Sequence, residues 1–317
     1  MLPEIRKTRS RGARGLRAGL MVAGVAALAF IAAPHLYANE SLLFTLMTFI
    51  VLAQGLNLLY GFTGYLPFGY VGFFGSGAYA TSLLVLHAHW PVLACVAGGT
   101  AVSVLLGLVL GPLLRLSGAY FSIANLAASQ ILYFVVSNPN LSDLTGGPYG
   151  LKIEQVYDPD LSYWVMLGVL LLTVALAAWL RASRFGMSLR AIKQDAVSAA
   201  MAGIHVVRSR LIVWLLSAGV AGLAGGVYAW NLSVFYPDAV FTLQLSVFAI
   251  VFALFGGVGT VIGPMVGAAL LYSLYSVIGI STPQYFQLIY GGLIVLLVLF
   301  LPGGVLSLFE RRGIDVF

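Results

Sequence analysis

Long hydrophobic runs, separated by short polar or glycine- and proline-containing segments, make up most of the chain. Ten of these runs approach or exceed the length of a transmembrane helix, which needs about 20 largely apolar residues. Backbone amides and carbonyls find no water in hydrocarbon, so each run is predicted to be a helix. The predicted spans are residues 18–34, 41–60, 66–88, 91–114, 118–137, 162–180, 209–229, 241–260, 263–280 and 284–301.

The composition supports this interpretation of the pattern. Of the 317 residues, 61% are hydrophobic and 8% are charged, whereas soluble domains carry about 45–50% apolar and about 25% charged residues. So few charged side chains do not cover the surface of a soluble protein of this size. Cys95 is the only cysteine, which excludes an intrachain disulfide and a zinc-binding cysteine cluster. The sequence therefore predicts an all-α polytopic membrane protein.

The distribution of Lys and Arg predicts the orientation, because cytoplasmic segments of membrane proteins are enriched in these residues. With ten spans and a cytoplasmic N-terminus, 15 of the 16 basic residues fall inside, and only Lys152 falls outside. An odd number of spans would remove this asymmetry. We therefore predict about ten helices with both ends in the cytoplasm. The same bias accounts for the net charge of +6 without a nucleic-acid partner.

This topology divides the chain into three parts. Residues 1–17 form a basic cytoplasmic N-terminus, residues 18–302 a single transmembrane domain, and residues 303–317 a cytoplasmic tail. The domain has an external loop at about 138–161 and a cytoplasmic loop at about 181–208. A basic start followed by an apolar run is also typical of a signal peptide, but this run is slightly long and a good cleavage site is missing. We predict an uncleaved first helix.

None of the spans carries an Asp, Glu, Lys or Arg well inside it. Such groups usually mark proton relays and ion sites, so their absence argues against a proton- or sodium-coupled carrier and against an intramembrane protease or metal enzyme. His87 and His89 are two positions apart and point to different sides of a helix, which favours interfacial residues over a shared metal. No lysine stands in a phosphate-binding loop. Any energy source, with its ATP and Mg, therefore belongs to another subunit, and no cofactor is expected in this chain.

Glycine is abundant, with 37 residues in the chain. Most of them are interpreted as small residues that let helices approach closely. Two stretches, Gly61–Tyr70 and Gly256–Pro264, combine glycine with proline inside uncharged hydrophobic hairpins. Such interruptions are typical of discontinuous helices or re-entrant bends that line a path. The two stretches do not align in register, so they do not indicate an internal repeat.

The cytoplasmic loop, residues 181–210, is predicted to contain two short helices. Met187–Lys193 has helical spacing, and Asp195 is a suitable N-cap for a second helix, Ala196–Ala202. Gly203 is suited to the position after that helix. The small side chains of the second helix give it a smooth surface that suits insertion into a groove of a partner protein, and a plain basic loop is the alternative.

Several motifs resemble those of a known family. The stretch Val197–Gly203 resembles the E-A-A-x-x-x-G loop of permease subunits in ABC importers, with Val for Glu and Ser for the first Ala. Ser183–Gly186 and Leu189–Ile192 are similar to the S-R-F-G and L-R-A-I motifs of the LivM-type permeases of branched-chain amino-acid importers. Further matching stretches are residues 115–121, 144–151, 217–229, 255–260 and 263–264.

The resemblance covers most of the chain from about residue 55 onward. One departure is at the G-x-x-S-x-G-H pattern of the family, where Pro67 replaces Ser and Tyr70 replaces His. The cargo therefore stays open between leucine, isoleucine or valine and a different ligand.

The resemblance implies a permease in a bacterial or archaeal cytoplasmic membrane. An external solute-binding protein would deliver the substrate, and two cytoplasmic ATPase subunits would drive transport. A second permease subunit, different and shorter, is implied as partner, with the lipid bilayer around both. The residues implied at the ATPase-coupling loop are Arg190, Lys193, Asp195, Ala199, Ala200, Gly203 and Arg208.

The path and the external contact are further hypotheses. A zwitterion is neutral overall, so helix ends and backbone groups at helix breaks are able to pass it without buried charges. The external turn Thr145-Gly146-Gly147 is a candidate contact for the binding protein, and a solvated loop is the alternative. The candidate path residues are Tyr65, Pro67, Tyr70, Asn125, Gln130, Gly257, Gly259 and Thr260.

Three alternative functions compete with the amino-acid importer. The first is a related importer for urea or short amides, and the second is an autonomous channel or facilitator. The third, a membrane-embedded enzyme, is disfavoured because no carboxylates, histidines or cysteines cluster in the sequence.

Overall fold

The computed structural model describes residues 19, 21–34, 39–281, 291–292, 295 and 304–306. Within them the chain is almost entirely helical, apart from two very short strands, β1 (Leu151–Lys152) and β2 (Val234–Phe235). The helices are α1 (Met21–Pro34), α2 (Glu40–Thr63), α3 (Val71–Ala88), α4 (Val92–Val109), α5 (Ala119–Val136), α6 (Ser142–Thr145), α7 (Pro159–Ala182), α8 (Arg184–Gln194), α9 (Ala196–Met201), α10 (Val206–Leu232), α11 (Pro237–Phe241), α12 (Leu243–Gly256) and α13 (Gly263–Ser281).

Seven helical segments in the described part are long and apolar enough to cross a membrane. They are α2, α3, α4, α5, α7, α10 and the combined α11–α12, and α1 and α13 are shorter apolar helices. Each of the first nine predicted spans thus corresponds to a helix. The tenth, 284–301, lies largely outside the described residues, as do residues 1–17 and most of 303–317. The prediction of an all-α polytopic membrane protein is confirmed.

Helix ends differ from the predicted ones where glycine and proline interrupt apolar sequence. The third span begins at Val71 rather than 66, because Gly64 ends α2 in the left-handed conformation and the chain continues without helix through Pro67. The eighth span is divided at Thr242, whose backbone is extended, and it ends at Gly256. Apolar composition alone does not distinguish these extended segments from helix.

The centre of the molecule is formed by α2 and α10. Helix α2 packs against α7, α10, α12 and α13, and nearly all its side chains from Met47 to Thr63 are buried. Helix α10 packs against α3, α4 and α7. By contrast, α5 is the least buried of the long helices, and it presents Ile123, Ile131 and Phe134 at the surface.

The predicted external loop is fastened to the end of α10. Strands β1 and β2 pair antiparallel, with Leu151 opposite Phe235. The Ile153 amide donates to the Ser233 carbonyl at 2.7 Å, and the Trp230 indole N–H donates to the Val156 carbonyl at 2.7 Å. These bonds fix the loop relative to the bundle.

Helices α3 and α10 approach each other so closely that their contact needs glycine. A Cβ atom built on Gly225 would overlap the carbonyl oxygen of Phe74, which is backbone and has no rotamer to change. Small residues at such contacts allow the van der Waals packing that holds membrane helices together.

We therefore expect Gly225→Ala to destabilise the protein by about 1–3 kcal/mol, the usual cost of overpacking. The measurement is thermal unfolding of the purified protein in detergent. Gly168→Ala in α7 is the control, because a Cβ there meets nothing within 4 Å. Equal melting temperatures for the two variants would contradict the packing described here.

Candidate functional site

The predicted cytoplasmic loop folds into two short helices held by local side-chain caps. The Ser183 hydroxyl accepts from the Gly186 amide at 3.0 Å at the start of α8. Asp195 begins α9, as the sequence predicts, and its carboxylate accepts from the Val197 amide at 2.9 Å and from the Ser198 hydroxyl. The bond from Ser198, with that from Val197, holds the pKa of the Asp195 carboxyl below its ordinary value. The charged form of Asp195 therefore stabilises the junction of the two helices.

Helix α9 turns apolar side chains outward. Val197 and Met201 are four positions apart and 68% and 78% exposed, so they share one face of the helix. Ala200 and Gly203 are exposed as well, whereas Ala199 is buried against the bundle. The sequence-based candidates on this helix were the small residues Ala199, Ala200 and Gly203. Val197 and Met201 were not among them, although their spacing of four positions indicates a shared helix face.

Lys193 is exposed over part of its side chain, but its ammonium contacts the bundle. Its ammonium donates to the Gly61 carbonyl at 2.9 Å and lies 5.8 Å from the centre of the Tyr60 ring. Gly61 stands in the last turn of α2, where helix carbonyls lack an intrahelical partner. Burial lowers the pKa of Lys193 from its ordinary value. Lys193 thus ties α8 to the C-terminal end of α2.

A second cation ties the same region to the other glycine-rich interruption. The Arg181 guanidinium, from the last turn of α7, donates to the Gly259 carbonyl at 2.7 Å. Arg190 on α8 donates in turn to the Arg181 carbonyl at 3.3 Å. Sequence analysis placed Arg190 at the coupling loop and omitted Arg181, because nothing local distinguishes Arg181 from an ordinary basic residue at a helix end. Arg208 is exposed at the start of α10.

The two interruptions, which are distant in sequence, lie against each other. A Cβ atom on Gly61 would be 2.7 Å from the Gly259 nitrogen. The fully buried Asn57 accepts from the Gly259 amide at 2.7 Å and donates to the Thr260 carbonyl at 2.8 Å. Gln54, one turn earlier on α2, donates to the Val261 carbonyl at 3.0 Å. Side chains of α2 therefore replace the helical hydrogen bonds that the second interruption lacks.

Within that second interruption, Thr260 also forms local bonds. Its hydroxyl donates to the Gly257 carbonyl at 2.8 Å and accepts from the Gly263 amide at 3.0 Å. Sequence analysis nominated Gly257, Gly259 and Thr260 and missed Asn57 and Gln54. The available signal was two amide side chains three positions apart in an otherwise apolar run.

The other path candidates have different surroundings. Asn125 and Tyr70 are buried, and the side chain of each bonds to the backbone of another segment. The side-chain amide oxygen of Asn125 accepts from the Gly69 amide at 2.8 Å. The Tyr70 hydroxyl donates to the Ser217 main-chain carbonyl at 3.0 Å. Pro67 is buried as well. Their role in a path stays a prediction.

Tyr65 lies between Phe121 on α5 and Arg210 near the start of α10. Its ring packs edge-on against Phe121 at 4.9 Å between centroids, and the Arg210 guanidinium lies 4.7 Å from the centre of the same ring. Gln130 borders a cavity formed by α5, α11 and α12.

The external turn is built around Thr145. Its hydroxyl donates to the Val136 carbonyl at 2.8 Å and accepts from the Gly147 amide at 3.2 Å, and Gly146 adopts the left-handed conformation. These residues shape the turn, and the neighbouring Leu144 and Tyr149 are exposed on its surface. A contact with a binding protein stays a prediction.

The sequence was compared with known proteins and structures. Residues 38–298 match the family described as the permease component of branched-chain amino acid transport systems. The permease protein LivM of the high-affinity branched-chain amino acid transport system of Salmonella typhimurium is 28% identical, over 83% of this chain and 68% of that protein. No solved structure matches this chain.

Permeases named for sugars are also similar. The L-arabinose ABC transporter permease protein AraH of Azospirillum brasilense is 29% identical, over 71% of this chain and 68% of that protein. The ribose import permease protein RbsC of Escherichia coli is 26% identical, over 79% of this chain and 78% of that protein.

Replacing Asn57 by Leu should destabilise the protein by about 1–3 kcal/mol, because the Gly259 amide and the Thr260 carbonyl lose their buried partner. Melting temperature in detergent measures the effect. Thr173→Val is the control, since the buried Thr173 hydroxyl bonds only to the Val169 carbonyl of its own helix among the contacts described. A loss for Asn57→Leu no greater than that for Thr173→Val would show that Asn57 does not hold the interruption.

Proposed function

Because this chain belongs to the family of branched-chain amino acid transport permeases, we propose that it moves branched-chain or other hydrophobic amino acids delivered by an external binding protein. The chain is a multi-pass membrane protein and a permease component of an ABC transporter. In the proposed assembly it pairs with a second, shorter permease and with two ATPase subunits. The membrane is the cytoplasmic membrane of a bacterium or archaeon.

One observation carries the proposed coupling to an ATPase. Helix α9 presents an exposed apolar face, while α8, joined to it at Asp195, bonds through Lys193 to Gly61 in the first glycine-rich interruption. A short helix with outward apolar side chains suits insertion into a groove of a partner. In this proposal the ATPase binds the exposed side chains of Val197 and Met201. The basic residues around them would attract the ATPase electrostatically and orient its docking.

The inward bonds then transmit the movement. Lys193 bonds to Gly61 and Arg181 bonds to Gly259, so a displacement of the loop acts on both interruptions at once. Hydrogen bonds from charged donors are stronger than those between neutral groups. In this proposal the movement of the loop reaches the membrane domain through these two charge-assisted hydrogen bonds. It does not require a change of conformation within the spans.

Sugars are the second candidate cargo, because the relatives named for arabinose and ribose are about as similar as those named for branched-chain amino acids. The test is ATP-dependent uptake by the reconstituted assembly in liposomes, screened over leucine, isoleucine, valine, urea, arabinose and ribose. We expect uptake of the amino acids only. Uptake of a sugar or urea alone would change the cargo, and uptake without any ATPase subunit would instead make the chain an autonomous channel.

Lys193→Met should reduce the amount of solute transported per ATP hydrolysed by about tenfold, the equivalent of losing one charge-assisted hydrogen bond. ATP hydrolysis stimulated by the binding protein should change less, because α9 stays exposed for docking. Both rates are measured on the same liposomes. Arg184→Met is the control, since Arg184 is an exposed cation on the same helix. Unchanged coupling in Lys193→Met would contradict the proposed transmission.

Gly203→Asp should impair assembly with the ATPase or its coupling. Gly203 has φ of +86°, and a Cβ there meets nothing within 4 Å, so the added bulk and charge project toward the proposed partner. Gly203→Asn is the matched control, because Asn tolerates the left-handed conformation and is neutral. Normal ATPase activity stimulated by the binding protein in Gly203→Asp would count against docking at this helix.

A further inference from the structure

A cavity of about 370 Å³ lies between α5 and the junction of α11 and α12. Binding sites for small molecules typically measure about 300–1,000 Å³ and combine apolar walls with a few polar groups. This cavity falls within that range of volume, and both apolar and polar side chains line it. Its lining residues are Leu126, Gln130, Tyr133, Asp238, Phe241, Thr242 and Leu243.

The cavity lies on the side that the distribution of basic residues assigns to the exterior. Asp238 lies in the first turn of α11, three positions after β2, the strand that pairs with the predicted external loop. On α5 the cavity extends from Leu126, near the middle of the helix, to Tyr133 in its last turn. It also contains Gln130, which the sequence nominated for the path. In the predicted topology the cavity therefore lies toward the outside, and the interruptions lie toward the cytoplasm.

Asp238 is the one carboxylate in the lining of the cavity, which contains no Lys, Arg or His. Among the residues that the structure describes, no Lys or Arg forms an ion pair with it. Tyr133 lines the cavity together with Asp238. The ring of Tyr79 packs against Phe241 of the lining at 5.8 Å between centroids, and its buried hydroxyl has no hydrogen-bond partner within the described part of the protein. Asp238 is exposed, so its carboxylate is accessible to a cation that enters the cavity.

We infer that this cavity selects solutes that carry an ammonium group, with Asp238 as the residue that determines the selectivity. The ammonium of an amino acid would bind the Asp238 carboxylate, and its apolar side chain would contact Phe241 and Leu126. The Gln130 side-chain amide and the Thr242 hydroxyl would donate hydrogen bonds to the carboxylate of the solute. This inference rests on the proposed function and specifies how the permease itself contributes to the choice of cargo.

The chemistry separates amino acids from sugars. A sugar presents hydroxyl groups, which donate to a carboxylate without adding an attraction between opposite charges. An amino acid presents a full positive charge next to an apolar side chain, and the cavity offers a carboxylate next to apolar walls. Removing the charge of Asp238 should therefore cost an amino acid more than it costs an analogue without the ammonium.

The test compares uptake of leucine with uptake of 2-hydroxy-4-methylpentanoate, in which a hydroxyl replaces the ammonium. Both are measured in liposomes with the complete assembly. We expect Asp238→Asn to lower leucine uptake about tenfold, the usual size of a lost hydrogen bond to a charged group, and uptake of the hydroxy acid less than twofold. Every variant receives solute from the same binding protein, so the selectivity of that protein cancels in the ratio of variant to wild type.

Asp160→Asn is the matched control, because Asp160 is an exposed acid on the predicted outer side and does not line the cavity. Equal losses for both solutes in Asp238→Asn, or a loss of leucine uptake no larger than in Asp160→Asn, would overturn the inference and leave the proposed function intact. Wild-type protein that transports arabinose or ribose but no amino acid would overturn both. If Asp238→Asn fails to assemble, Tyr133→Phe decides, because loss of the hydroxyl beside Asp238 should lower leucine uptake more than uptake of the hydroxy acid.

Discussion

A helix that ends or breaks in the interior of a protein leaves buried backbone amides and carbonyls, and each of them needs a partner from the protein itself. Here the two interruptions meet, and their partners come from two directions. Asn57 on α2 bonds to the Gly259 amide, while Lys193 from the cytoplasmic loop bonds to the Gly61 carbonyl. One of the hydrogen-bond partners that the membrane domain needs thus comes from the loop. This bond connects the loop to the end of α2.

Helix α10 connects this inner region with the outer one. It begins just after α9 and ends at the strand that pairs with the external loop. Its contact with α3 at Gly225 leaves no space for a side chain, and the interiors of such contacts are too closely packed to deform gradually. In the proposed importer, the substrate site would respond to events at the ATPase. A continuous helix between the loop and the cavity at Asp238 supplies a physical connection for that response.

Sequence reasoning succeeded where the physical cause is local. Hydrocarbon demands long apolar runs, so the spans were predictable, and the Asp195 cap depends on an amide two residues away. It failed where partners are distant. Asn57 bonds to Gly259, about 200 positions later, and no local pattern indicates that pairing. Lys193 was placed in the coupling loop by resemblance alone, and no local pattern indicated that its long side chain reaches the Gly61 carbonyl.

The most direct test of the account measures whether the loop and the interruptions move together. Spin labels at Met187 on α8, Val258 in the second interruption and Tyr149 in the external turn would report distances in the complete assembly, with and without ATP. Cys95 is buried and should not compete for the labels. We predict an unchanged distance between Met187 and Val258 and a changed distance between Met187 and Tyr149. A shift of Met187 relative to Val258 upon ATP binding would contradict the account, because the bonds from Lys193 and Arg181 would then not transmit the movement.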